Sequence, residues 1–140
     1  MAIKLAEAKA IIDGVIAEAS KLDARVSVAV CDAGGHLVAM SRMDGVVTIA
    51  SGFSVGKAIV SAASGRPSDE VIDVKTTRPD TVIGQAVPAV SRRGGIPIFR
   101  AGILEGACGV SGSPNNDYDY TFARAGVTGA GFSTVPETAV

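Results

Sequence analysis

Hydrophobic positions along the chain change period several times, and each change marks a new element. Over residues 3–21 they recur at intervals of three and four. Leu5, Ala8, Ile12, Val15, Ile16 and Ala19 fall on one helical face, while Lys4, Glu7, Lys9, Asp13 and Glu18 lie mostly elsewhere. Gly14 weakens this helix by about 1 kcal/mol relative to Ala, so it predicts a neighbour in close approach. From Val26 the period drops to two, with Val26, Val28 and Val30 alternating with Ser27, Ala29 and Cys31. Asp32-Ala33-Gly34-Gly35 then supplies the positive φ of a hairpin turn, and Leu37 to Met40 continue an apolar strand, so a hairpin spans 26–42.

The pattern returns to helical spacing from Val46 to Ala63, where Gly52 and Gly56 are four apart and small residues allow a close crossing. Ser64-Gly65-Arg66-Pro67-Ser68 stops it. Ser68-Asp69-Glu70 is suited to cap a short helix over 69–76, Arg78-Pro79 breaks the chain, and residues 80–90 carry no single pattern. Ser91-Arg92-Arg93-Gly94-Gly95 is a second charged glycine turn. It leads to a strand at 96–100, which Pro97 places at an edge or in an irregular position. Ala101-Gly102 turns the chain into a strand over 103–110, with Glu105 expected near the turn end. A polar loop, 111–117, precedes a helix over about 118–130 with Phe122, Ala125 and Gly126 inward, and the tail beyond Gly131 has no strong pattern. Two hairpins and three helices without a long linker or repeat predict one domain, 1–140. Its class is α+β, an antiparallel sheet with helices covering at least one face.

Composition narrows this picture. Aromatic residues are 4% of the 140 and Trp is absent, so the core must be thin and built from Ala, Val, Ile and Leu. With 47% hydrophobic residues and modest charge, part of the apolar surface is expected to be covered by other subunits, as in a homo-oligomer. Thirteen basic residues against 14 acidic ones leave a net charge of −1, with no basic stripe or polybasic run. This argues against nucleic-acid and membrane partners. The opening MAIKLAEAKA is too polar for a signal peptide, and no stretch is long enough to cross a bilayer, so a cytoplasmic location is expected. Cys31 and Cys108 both lie in strand patterns and read as reduced core thiols, the alternatives being a disulfide or a reactive thiol.

Candidate chemistry is dispersed. Ser51 to Ala58 superficially resembles a phosphate loop, but its glycines are one residue too close and Ala58 stands where a hydroxyl would hold magnesium. His36 is the single histidine and neither cysteine lies at ligand spacing, so no metal site is expected; His36 remains available as a haem ligand or a general base. Arg42 and Asp44 stand two apart at a strand end, and Lys57 lies on a helical face beside Phe53, Ser54, Val60 and Ser61. A charge there is either paired structurally or placed for an anion or for catalysis. Arg42 and Arg93 suit bidentate binding of a carboxylate. The Ser111-Gly112-Ser113 loop is either an ordinary capped helix entry, which Asp117 and Asp119 fit, or an anion cradle. Tyr118 and Tyr120 could line a pocket or an interface.

Over about residues 3–131 an ordered set of motifs resembles the GlcG/HbpS-like family, also found at the C-terminal end of PduO-type proteins. The set comprises LAEAKAIIDGVIAEA, VAVCDAGGHLVAMSRMDG, the Lys57-Ala58 helix, GGIPI at 94–98, EGACGVSG at 105–112, and Asp119 followed by Ala123-Arg124-Ala125-Gly126. The resemblance implies a profilin-like α+β fold, self-assembly to tetramers or octamers, and a ligand such as haem or a small organic acid. The chain departs from the family pattern at three places. Arg93 replaces the Pro of Pro-Gly-Gly, Tyr120 replaces the Glu of Asp-Glu, and the first helix lacks a histidine that would ligate haem. These changes add a cation and a phenol near motif positions, which suits an organic acid or an aromatic metabolite.

Two functions follow as expectations. One is a small-ligand-binding protein, with haem or a small organic acid held by Arg42, Met43, Arg93, Gly94, Gly95, Ser111 and Tyr120. The alternative is a cofactor-free isomerase, lyase or hydrolase of small carboxylate or aromatic catabolism. In it His36, Asp44, Lys57 or Asp119 would move a proton while an arginine holds the carboxylate. A purely structural or accessory subunit is a third reading.

Overall fold

A computed structural model describes residues 2–70 and 89–136. Four strands form one antiparallel sheet, β1 Ser27–Asp32, β2 Leu37–Arg42, β3 Gly95–Arg100 and β4 Ile103–Ser111, in the order β2-β1-β4-β3. Three helices, α1 Leu5–Lys21, α2 Ala50–Ser64 and α3 Asn116–Gly129, cover it, with a 3-10 turn at Ser68–Glu70. The period-two alternation of β1 divides its side chains between two layers. Val26, Val28 and Val30 join Ile96, Ile98, Cys108 and Val110 under α1 and α3, against Ile11, Val15, Phe122 and Val127. Cys31 and Ala107 face Ala58 and Ala62 of α2. The α+β sandwich expected from the sequence is therefore present, with α1 and α3 on one face and α2 on the other.

Glycines set the distance between these layers. A Cβ on Gly109 of β4 would collide with the Ser54 carbonyl oxygen and come within 2.6 Å of the Ala58 nitrogen, so α2 lies backbone-close on the sheet. On the other face, Gly14 and Gly126 oppose each other where α1 crosses α3; a Cβ on Gly14 would come within 3.2 Å of the Gly126 Cα. The close approach predicted at Gly14 is this crossing.

Several boundaries differ from the sequence reading, each for a physical reason. Helix α2 begins at Ala50 rather than Val46. Gly45 has φ +80°, and the β-branched run Val46-Val47-Thr48-Ile49, a poor helix former, makes a turn instead. Helix α3 begins at Asn116 because the Asn115 side chain caps it, accepting the Asp117 N–H at 2.8 Å. Glu105 sits inside β4, 3% exposed, rather than at its turn end. Burial is tolerated because Arg100 grips both its carboxylate oxygens, at 2.9 and 2.7 Å, while also pairing with Glu7 at 2.9 Å. Strand β3, which contains Pro97, is an edge, and the tail beyond Gly131 covers it: Phe99 and Ser133 exchange backbone hydrogen bonds at 2.8 and 3.0 Å. Of the helix expected over 69–76, the part beyond Glu70 lies outside the described residues, as does most of 80–90.

Candidate functional site

At the end of the sheet where β4 finishes and β3 begins, Lys57 reaches from α2 to the opposite helical layer. Its Nζ donates to the Val110 carbonyl at 2.8 Å and lies 3.4 Å from Oδ2 of Asp119 on α3. Both side chains are fully enclosed. The other Asp119 oxygen accepts the Ser113 N–H at 3.1 Å. Gly94 makes room for the ammonium: a side chain there would crowd Nζ at 2.8 Å, and its φ of +134° already favours glycine. Burial depresses the Lys57 amine below its ordinary value and lifts the Asp119 carboxyl, and in each the charge of the other opposes the shift. The pair is thus poised closer to neutrality than an exposed pair, while each group retains a polar partner.

Just outside this pair, the Arg93 guanidinium lies on the Tyr120 ring, 3.9 Å from its centroid. Asp69 holds one Arg93 nitrogen at 3.2 Å and Asp117 stands 3.0 Å from Nε, so the arginine links the 3-10 turn to the start of α3. Tyr120 also lines an open cavity of about 340 Å³. Pro67, Ile96, Val135 and Pro136 supply its apolar lining, and Arg66, Glu70 and Thr134 line it as well, so its surface is almost as polar as apolar. The ion pair between Arg66 and Glu70 is long, 4.0 Å, and exposed, which leaves the guanidinium accessible.

The structure therefore brings Lys57, Asp119, Arg93, Gly94, Gly95, Ser111 and Tyr120 to one end of the sheet. Gly95 is buried and donates its N–H to Ser68 at 2.8 Å, and Ser111 is buried in the ladder opposite Ser27. The start of α3 is a capped helix entry: Asn115 accepts the Asp117 N–H, and Asp119 reaches back to accept the Ser113 N–H of the preceding loop. Arg42, Met43 and Asp44 lie apart, where β2 ends at the opposite edge of the sheet, and with Arg25 line a second, shallow depression of about 390 Å³. Arg42 and Arg93 are separated by three strand spacings, roughly 14 Å, so one small carboxylate in one chain does not meet both. Met43 packs on the core, its sulfur accepting the Val26 N–H at 3.4 Å. His36 stands on the hairpin turn at the opposite end of the sheet, its side chain 84% exposed and 3.4 Å from Asp32. Cys31 and Cys108 belong to different core layers and are both free thiols, burial pushing Cys31 up to about 12 and Cys108 higher still. The sequence flagged each member of the Arg93–Tyr120 pair but not their contact. It gave Arg66 and Asp69 no part in a site, since an exposed arginine and a turn aspartate carry no periodic signal; in the Ser111–Ser113 loop, weighed as an anion cradle, the Ser113 N–H is taken by Asp119.

The family model described as haem degrading protein HbpS-like matches residues 3–128. The chain belongs to the HbpS-like family. Protein GlcG of Escherichia coli K12 is 41% identical over 104 residues, which is 74% of this chain and 77% of GlcG. Among solved structures, a double mutant of Streptomyces reticuli HbpS superposes with a TM-score of 0.83 at 26% identity, over 94% of this chain and 88% of that one. A PduOC–haem complex superposes with a TM-score of 0.84 at 22% identity, over 96% and 99% of the two chains, a likeness of fold. The sequence-based family assignment and the α+β class are thereby established. In this HbpS-like chain the matched span includes every residue of the Lys57–Asp119 and Arg93–Tyr120 pairs. No helix among the described residues is long and apolar enough to cross a membrane.

Proposed function

We propose that this HbpS-like protein binds a small carboxylate-bearing ligand, haem or an organic acid, at the Arg93–Tyr120 end of the sheet. The observation that carries the reading is an aromatic ring backed by a fixed guanidinium and lining a cavity of mixed polar and apolar surface that a second guanidinium, Arg66, also lines. Pockets for small ligands combine apolar walls with a few directed polar groups. For haem, these arginines would supply the cations that its carboxylates need. Bound haem would supply a redox-active iron, while Arg66 and Arg93 would hold its carboxylates. The relatives support this reading, one being crystallised with haem and the family model carrying a haem-related description.

The test is thermal unfolding and absorption titration of the purified protein with ferric haem and with a panel of small mono- and dicarboxylic acids. A ligand at 100 times its Kd stabilises by about 2.7 kcal/mol, a readily measured rise in Tm. Arg66→Ala is expected to weaken the response. Failure of haem and of every acid to bind saturably overturns the reading.

The enclosed Lys57–Asp119 pair favours a second reading, proton transfer to a bound carboxylate substrate. Its support is the displacement of both groups toward neutrality, a common property of catalytic acids and bases. Against it stands the complete enclosure of Nζ. Turnover of an acid that binds the protein, lost in Lys57→Met with binding retained, is the result this reading requires. Self-assembly belongs to the same proposal, supported by Val47 and Ile49, each 57% exposed beside α2. Light scattering on the eluting protein measures it, and a monomer at micromolar concentration refutes it.

A further inference from the structure

We infer that the outer edge of β2 pairs antiparallel with β2 of a second copy of this chain, so that the two four-stranded sheets become one. The inference rests on the self-assembly reading above and assigns it a surface. The two edges of the sheet differ. On β3, Pro97 removes one donor, and the tail covers the strand where Phe99 and Ser133 exchange hydrogen bonds. Strand β2 pairs with β1 alone among the described residues. Met43 donates its N–H to the Val26 carbonyl at 3.0 Å, so in the alternating antiparallel pattern Ser41 and Ala39 also turn their backbone groups to β1. Met40 and Arg42 therefore turn theirs outward. The irregularity in this ladder falls between Val30 and Cys31, toward the hairpin turn, and leaves Ala39 to Arg42 in regular register. Strand β2 holds no proline and no charge before Arg42, so it lacks the usual devices that keep an edge from pairing.

The surroundings of this edge select a second copy as its occupant. Lys9, Ile12 and Asp13 of α1 form a depression of about 230 Å³ with Ala39, Met40 and Ser41. Ile12 is buried, while Lys9 and Asp13 are exposed one helical turn apart, and neither joins an ion pair among the described residues. A two-fold axis at Met40 sets Lys9 toward Asp13 of the partner subunit and Asp13 toward the partner's Lys9. This is the reciprocal contact of an isologous interface. The strand register agrees with that axis. Centred on Met40, residues 38–42 of both strands overlap, the two Met40 residues exchange both backbone bonds, and Asp44 stands opposite the partner's His36, a carboxylate facing an imidazole. Centred on Ala39, the same overlap would instead set Arg42 opposite the partner's His36. Main-chain bonds supply the affinity of such strand addition, and the α1 charges supply its choice of partner.

The experiment measures association of the full chain by sedimentation equilibrium and backbone amide exchange by nuclear magnetic resonance. It compares wild type with Lys9→Glu, Asp13→Lys, the exchange Lys9→Glu/Asp13→Lys, and Met40→Pro. The two α1 positions are exposed, so the charge variants keep the fold, and circular dichroism verifies it for all five proteins. Wild type is expected to associate at micromolar concentration, with the Arg42 amide exchanging at least about 100-fold more slowly than in Met40→Pro, which lacks the central donor. Each single reversal makes both symmetry-related contacts repulsive and should raise the dissociation constant roughly tenfold; the double exchange should return it to within about threefold of wild type. Association with the Met40 and Arg42 amides exchanging as fast as those of the 43–49 connection overturns edge pairing and leaves self-assembly standing. Single reversals that associate as tightly as wild type overturn the charge-matched pairing and the inference with it. A wild-type monomer at micromolar concentration overturns the self-assembly reading and this inference together, and slow exchange in that monomer would assign the edge to a segment of the same chain.

Discussion

Removing one member of the Lys57–Asp119 pair should destabilise the protein far more than removing both. In Asp119→Ala the ammonium keeps only the Val110 carbonyl; in Lys57→Met the carboxylate keeps only the Ser113 N–H. Because both side chains are fully enclosed, solvent cannot replace the lost partner. An uncompensated buried charge of this kind costs about 3–5 kcal/mol. In urea, where a domain of this size loses roughly 2 kcal/mol per molar, each single variant should therefore show a midpoint about 2 M lower at pH 7. The double variant Lys57→Met/Asp119→Leu replaces both charges with apolar groups of similar length, and should fall within about 1 kcal/mol of wild type or exceed it. The pH dependence adds a second constraint. Asp119 has a folded pKa raised above its ordinary 3.8, so the native state binds the extra proton and stability falls as pH rises through that window. Lys57 has a folded pKa below its ordinary 10.5, so the unfolded state binds the extra proton and stability rises as pH climbs from the folded value to 10.5. Relative to the double variant, wild type should therefore be weakest between these windows and gain toward both acid and alkali. Single variants within 1 kcal/mol of wild type, or a flat pH difference, would refute the assignment of a desolvated pair.

Other outcomes follow from the packing. Gly109→Ala drives a methyl into the α2 backbone and is expected to cost about 3 kcal/mol or to prevent folding, whereas Gly52→Ala enters open space and should gain up to about 1 kcal/mol; equal midpoints for the two in urea would contradict the close seating of α2. Cys31 and Cys108 should resist a thiol reagent at pH 8 until the protein unfolds, since burial holds Cys31 up at about 12 and Cys108 higher; stoichiometric labelling of the folded chain would argue against their placement. Glu105→Gln should lower Tm by loosening the Arg100 grip between β3, β4 and α1, an effect that added salt should reproduce only weakly in wild type because the carboxylate is buried.

The elements were legible in the sequence wherever periodicity persisted. The 3.6-residue stripe of α1, the alternation of β1 and the Gly34-Gly35 turn each point to one local structure, and Pro97 correctly marks an edge strand. Legibility failed where a long-range partner decides. Glu105 is unremarkable as a strand residue until Arg100 and Glu7 meet it, and the patternless tail becomes an edge partner only because Phe99 leaves its backbone groups open. The site shows the same division. Lys57 stands out as the one charge in an apolar helix and Asp119 as an acid in a first turn, but nothing local says that they meet across the sheet's end. Likewise Arg42 and Arg93 look equivalent in sequence, and strand order alone separates them.

The glycine floor beneath α2 also bears on the order in which the molecule assembles. Helix α2 is poor in intrinsic propensity, with two glycines and several serines, so it depends on what it rests against. Strand β1 offers only part of that support; the remainder, at Gly95 and Gly109, is synthesised much later. A chain still emerging from the ribosome therefore holds an apolar, unsupported helix until β4 arrives to pair with β1. Substitutions on the inner side of α2 should accordingly accelerate unfolding while leaving refolding rates nearly unchanged, the kinetic mark of an element that docks last.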